Sequence, residues 1–151
     1  GSLYTSVIPN LLVDGIVDAI RDCNGLKVYV CNVMTQEGET EGYTVSDHIR
    51  AIFEHSSQGL FHLCLTNSSP IPKGVAARYA EEGAELLRCD KEACEALGVE
   101  IVNRPVATVK NGYVRHHPGH LARELILLHA ERSVRIAGEG RAFRDDIYRV
   151  E

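Results

Sequence analysis

The stretch Gly1-Ser2-Leu3-Tyr4-Thr5-Ser6 gathers three hydroxyls, Ser2, Thr5 and Ser6, beside a glycine and just ahead of an apolar run. Leu12, Ile16 and Ile20 follow at helical spacing, and Val13 and Val17 widen the stripe. A small hydroxyl-rich loop opening a helix turns unpaired backbone N–H groups outward, which suits a phosphate or another anion. The same residue types also cap helices without any ligand. Ligand-cradling loops in α/β proteins leave the C-terminal end of a strand. No strand precedes this loop, so the chain reads as the second half of a larger unit, and Gly1-Ser2 is either an expression scar or native.

Further hydrogen-bonding groups fall in other loops. Asn32, Thr35 and Gln36 open the long segment 32–43 and offer both donors and acceptors, fit for hydroxyls, amides or a pyrimidine edge. Glu37, Glu39 and Glu41 behind them read as a solvated face. Asn67-Ser68-Ser69-Pro70 repeats the amide and hydroxyl chemistry. In Asn103-Arg104-Pro105, Arg104 could meet a phosphate, although a surface ion pair is the simpler reading. His116-His117-Pro118-Gly119-His120 invites a metal, but neighbouring histidines on a strand diverge and no cysteine or carboxylate stands at ligand spacing. A helix starting after Pro118 explains it better. No nucleophile motif, P-loop or G-x-G-x-x-G occurs. The residues therefore assign no catalytic group, no metal ligand and no cofactor.

Positioning such loops requires an alternating framework. A helix is expected over 8–21, with a bend at Asp14-Gly15. Lys27–Cys31, Phe61–Thr66 and Val99–Val102 are nearly continuous apolar runs, the mark of strands covered on both faces. Thr44-x-x-Asp47 is a capping-box start for a helix carrying Val45, Ile49, Ile52 and Phe53. Further helices are expected over 75–82 and 90–97, with a short edge strand at Glu85-Leu86-Leu87. Lys110-Asn111-Gly112-Tyr113 signals a hairpin, and a last helix runs over 118–131. The pattern predicts an α/β fold, a Rossmann-like three-layer sandwich with a mostly parallel sheet. Residues 1–132 form its domain and the polar residues 133–151 an extended or partly disordered tail.

Composition agrees with one ordinary domain: 151 residues, 44% hydrophobic and 25% charged. The formal net charge of −5 argues against a nucleic-acid partner, and no apolar run is long enough to span a membrane. The five cysteines are odd in number and include no C-x-x-C. Cys31 and Cys64 sit in apolar runs and are expected as buried free thiols, consistent with a reduced, cytoplasmic protein.

The segments Gly1 to Val13, Tyr29-Val30-Cys31-Asn32-Val33-Met34-Thr35-Gln36 and Gly38-Glu39-Thr40-Glu41-Gly42-Tyr43-Thr44 resemble the YvcK family of gluconeogenesis factors. Val114-Arg115-His116-His117-Pro118 resembles it too, although the family commonly has Asp where this chain has His117. The likeness covers residues 1–132 and implies the C-terminal portion of a protein related to CofD, the 2-phospho-L-lactate transferase of deazaflavin coenzyme synthesis. It implies a cytoplasmic bacterial protein tied to cell shape, cell-wall precursor supply and gluconeogenic growth. It also implies a UDP-sugar ligand such as UDP-N-acetylglucosamine. On that basis Ser2, Leu3, Tyr4, Thr5, Ser6, Asn10, Asn32, Thr35, Gln36, Tyr43 and Asn67 are the expected ligand-binding residues. Ser2, Thr5 and Ser6 are expected at the diphosphate, and Asn32, Thr35 and Gln36 at the sugar or nucleoside. A regulatory binding protein without catalysis is the favoured reading, and a CofD-type transferase, which needs a carboxylate-held divalent metal, is the alternative. A homo-oligomer is a further expected partner.

Overall fold

The computed structural model describes residues 1–147, with side chains described to residue 133. Two compact units divide the chain, Gly1–His117 and the stretch from Pro118 onward. In the first, strands β1 (Val28–Val30), β2 (Leu63–Asn67) and β3 (Glu100–Arg104) form a parallel sheet in the order β1-β2-β3. Tyr29 lies opposite Cys64, and Cys64 opposite Ile101. The central strand explains the apolar runs: Leu63, Cys64, Leu65 and Thr66 are all buried. A strand covered on both faces cannot alternate polar with apolar. The fold is α/β and Rossmann-like, as expected.

The helices follow the capping chemistry. A π-wound turn, Leu3–Val7, leads into α1 (Ile8–Leu11), and its register is set by the Val7 N–H donating to the Ser2 carbonyl at 3.0 Å. The expected bend before α2 (Ile16–Asp22) falls at Gly15, whose φ of 82° stops a continuous helix. Helix α3 (Val45–Glu54) opens on the complete Thr44/Asp47 capping box. Asp90, just before α5 (Lys91–Ala96), accepts from the Ser46 hydroxyl at 2.6 Å and from its N–H at 3.0 Å. That ties the start of α3 to α5, which packs on β3. Helix α4 (Lys73–Glu81) lies between β2 and α5 in sequence. The core gathers Leu3, Ile8, Ile49, Ile52, Phe53, Phe61, Cys64 and Val99. Cys31 and Cys64 are buried and unbridged.

Two details differ from the sequence reading. Glu85-Leu86-Leu87 makes a single antiparallel bridge, Met34 to Leu86, instead of a strand. The Thr35 N–H donates to the Glu85 carbonyl at 2.8 Å and the Leu87 N–H to the Val33 carbonyl at 3.0 Å, pinning the 32–43 loop. The last helix, α6 (Pro118–Ile147), runs through 133–147, where an extended end was expected. Arg135, Ala137, Glu139, Arg141 and Ala142 are strong helix formers and outweigh Gly138 and Gly140. Residues 148–151 of the expected tail lie outside the described residues.

Candidate ligand-binding crevice

Parallel sheets present ligands beyond the C-terminal ends of their strands. Two loops leave that edge toward the same space. The loop after β1 brings Asn32, Thr35 and Gln36. Beyond β3, the antiparallel hairpin β4 (Ala107–Lys110) and β5 (Tyr113–His116) brings Tyr113, Arg115 and His116. With Gly1, Ser2 and Tyr79 they line a cavity of about 500 Å³. The hairpin turn is Asn111-Gly112, with φ of 51° and 78°, the left-handed pair that a tight two-residue hairpin needs.

The hairpin wall is built by specific contacts. The Val114 N–H donates to the Tyr79 hydroxyl at 2.9 Å, docking β5 on α4. Two guanidiniums flank the Tyr113 ring, Arg115 at 5.2 Å and Arg78 at 5.4 Å from its centroid. Neither arginine forms an ion pair among the described residues, so Arg115 is a cation at the cavity wall without a carboxylate to neutralise it. Burial pushes the His116 imidazole pKa down, while its hydrogen bond to the Cys31 carbonyl pulls the other way. That leaves His116 neutral near pH 7.

The expected site residues separate into distinct groups. Asn32, Thr35, Gln36 and Ser2 share the cavity wall. Thr35 is buried, and its Oγ1 accepts the Glu85 N–H at 2.8 Å, so it chiefly holds the loop. Ser2 caps the π-wound turn, and its hydroxyl donates to the Glu39 carboxylate and meets Thr5 Oγ1 at 2.6 Å. Glu39 is therefore engaged rather than merely solvated, and the chain's own carboxylate occupies the Ser2 hydroxyl. Thr5 and Ser6 are exposed and stand outside this cavity lining. Leu3 is buried in the core, and Asn10 donates to the Ser6 carbonyl at 2.6 Å.

Tyr4 and Tyr43 join hydroxyls at 3.0 Å. That bond, with burial behind it, pushes the Tyr4 pKa up to about 12. Tyr43 packs edge-on against His48. Asn67 is turned on its own backbone, with Oδ1 accepting from Ser69, Val106 and Ala107 and Nδ2 donating to the Ser69 carbonyl. The sequence reading missed Tyr79, Tyr113, Arg115 and His116 as site residues. The available signal was an arginine beside an aromatic on a hairpin that follows a parallel strand.

The sequence profile of the family described as 2-phospho-L-lactate transferase CofD matches residues 1–107. The chain belongs to the CofD family. Within it the chain is similar to the gluconeogenesis factor of Halalkalibacterium halodurans, 44% identical over 83% of this chain and 39% of that protein. It is similar to the gluconeogenesis factor of Bacillus subtilis (strain 168) at 40% identity, over 83% of this chain and 40% of that protein. A crystallised Bacillus halodurans protein superposes with a TM-score of 0.79 at 44% identity, covering 83% of this chain and 40% of the other. This chain thus spans about 40% of the length of the relatives it matches. Among the described residues no three histidine, cysteine or carboxylate side chains converge as metal ligands would.

Proposed function

We propose that this CofD-family chain forms part of the binding site for a UDP-sugar such as UDP-N-acetylglucosamine. The protein then acts as a cytoplasmic regulator of gluconeogenic growth, cell-wall precursor supply and cell shape. The observation that carries this reading is the unneutralised Arg115 over the Tyr113 ring, in one cavity lining with Tyr79 and the uncharged Asn32 and Gln36. A cation suits a diphosphate, the tyrosines suit a nucleobase, and the amides suit polar edges. The relatives' description as gluconeogenesis factors supports the physiological part. Among the described residues no single helix is long and apolar enough to cross a membrane.

Calorimetric titration of UDP-N-acetylglucosamine into the full-length protein tests the reading. A hydrogen bond to a charged group is worth about 1.5–3 kcal/mol, so Arg115→Ala should weaken binding by roughly tenfold to over a hundredfold. Absence of measurable binding by the unaltered protein would sink it. The second reading, a transferase acting on a phosphate-linked substrate such as 2-phospho-L-lactate, is favoured by the CofD profile itself. Turnover of that substrate, followed by product analysis, would decide for it.

A further inference from the structure

A second cavity of about 290 Å³ opens beside the first, and the two share Asn32 and Val33. Its lining contains no charged side chain and no aromatic ring. Its lining combines Asn103 from β3 and Ser69 from the loop after β2 with aliphatic Ile71 and Leu87. The polar lining groups have bonding capacity in hand. The Thr66 hydroxyl donates to Asn103 Oδ1 at 3.3 Å, which leaves Nδ2 as a donor. The Ser69 hydroxyl and the Asn32 amide have no hydrogen-bond partner among the described residues. Of the two cavities, only the first is lined by cationic or aromatic side chains, Arg115, Tyr79, Tyr113 and His116.

This division selects the ligand's orientation. A planar base and a diphosphate need rings and a cation, which only the first cavity has. A pyranose carries hydroxyls along its edges and C–H groups on its faces. It matches an uncharged space lined by amide and hydroxyl groups together with aliphatic ones. We infer that the second cavity is the sugar subsite, entered across Asn32, with the nucleoside diphosphate held in the first. This rests on the nucleotide-sugar reading and adds to it which wall reads which half of the ligand.

The test compares UDP with UDP-N-acetylglucosamine in calorimetric titrations of the full-length protein and two variants. Asn103→Ala removes a free donor, and Ser69→Trp fills the cavity. Each should weaken UDP-N-acetylglucosamine binding about fivefold or more while leaving UDP within twofold of the unaltered protein. If both variants bind both ligands normally, the sugar does not enter this cavity, although the nucleotide reading stands. If UDP and UDP-N-acetylglucosamine weaken in parallel in both variants, with melting temperatures unchanged, the two halves of the ligand are not divided between the cavities and the inference falls. If the unaltered protein binds neither ligand, the nucleotide-sugar reading itself fails and takes the subsite with it.

Discussion

His48 shows how the chain keeps an ionisable group uncharged. It is fully buried on α3, and its Nδ1 lies 3.1 Å from the Tyr29 hydroxyl, while Nε2 has no partner among the described residues. Burial pushes its pKa down from 6.5 to about 4, against the pull of Asp47 and Glu39. The unfolded chain therefore takes up a proton near pH 6.5 that the folded chain refuses until about pH 4. Stability from this residue is complete above pH 6.5 and is lost progressively as pH falls toward 4. At about 1.4 kcal/mol per pH unit the full loss is about 3 kcal/mol. Denaturant midpoints should drop between pH 7 and pH 5, and less so in His48→Phe, which has nothing to protonate. An imidazole titrating near pH 6.5 in a proton NMR titration of the folded protein would contradict this.

At the scale of elements, α3 is anchored by polar contacts as much as by its apolar face. The Thr44 N–H donates to Asp47 Oδ2 at 2.9 Å, and Asp90 reaches over to the Ser46 N–H and hydroxyl. Donation from the Thr44 backbone holds the Asp47 pKa below its ordinary value. For Asp90, burial acts upward, but the Ser46 bonds outweigh it and the net displacement is downward. Both carboxylates therefore stabilise the fold above the ordinary carboxylate range, and that contribution fades as pH falls through their depressed values. Removing the cap with Thr44→Ala should cost about 0.5–2 kcal/mol and lower the melting temperature by a few degrees. A melting curve unchanged by Thr44→Ala would show that packing alone holds the helix start. The capping box was readable in the sequence because it is local, whereas the Asp90 to Ser46 bridge was not. It joins residues 44 positions apart, and only the docking of α5 against α3 brings them together.

Across the whole molecule, the same contrast governs what sequence reveals of the site. Buried parallel strands announce themselves as continuous apolar runs, and all three were legible, within a few residues at their ends. The Asn32, Thr35 and Gln36 wall was legible as well, since it follows such a strand. The rest of the lining was not. Tyr113, Arg115 and His116 alternate on a half-exposed hairpin, and Tyr79 lies on a helix whose role appears only when β5 docks on it. At the N-terminal turn the hydroxyls suggested an anion, and in the folded chain the Ser2 hydroxyl meets the Glu39 carboxylate. Two substitutions separate these roles. Asn32 borders both cavities with an unspent amide, so Asn32→Ala should weaken UDP and UDP-N-acetylglucosamine alike, by roughly threefold to over tenfold for a contact of about 0.5–1.5 kcal/mol. Thr5 is exposed and bonded to Ser2, so Thr5→Ala should change either affinity by less than about threefold. Melting temperatures of both variants should stay close to that of the unaltered protein. If Thr5→Ala instead weakens binding as much as Asn32→Ala, the diphosphate sits on the N-terminal turn. Glu39 would then have to leave Ser2 when the ligand arrives, because a carboxylate and a diphosphate cannot share one hydroxyl without strong repulsion.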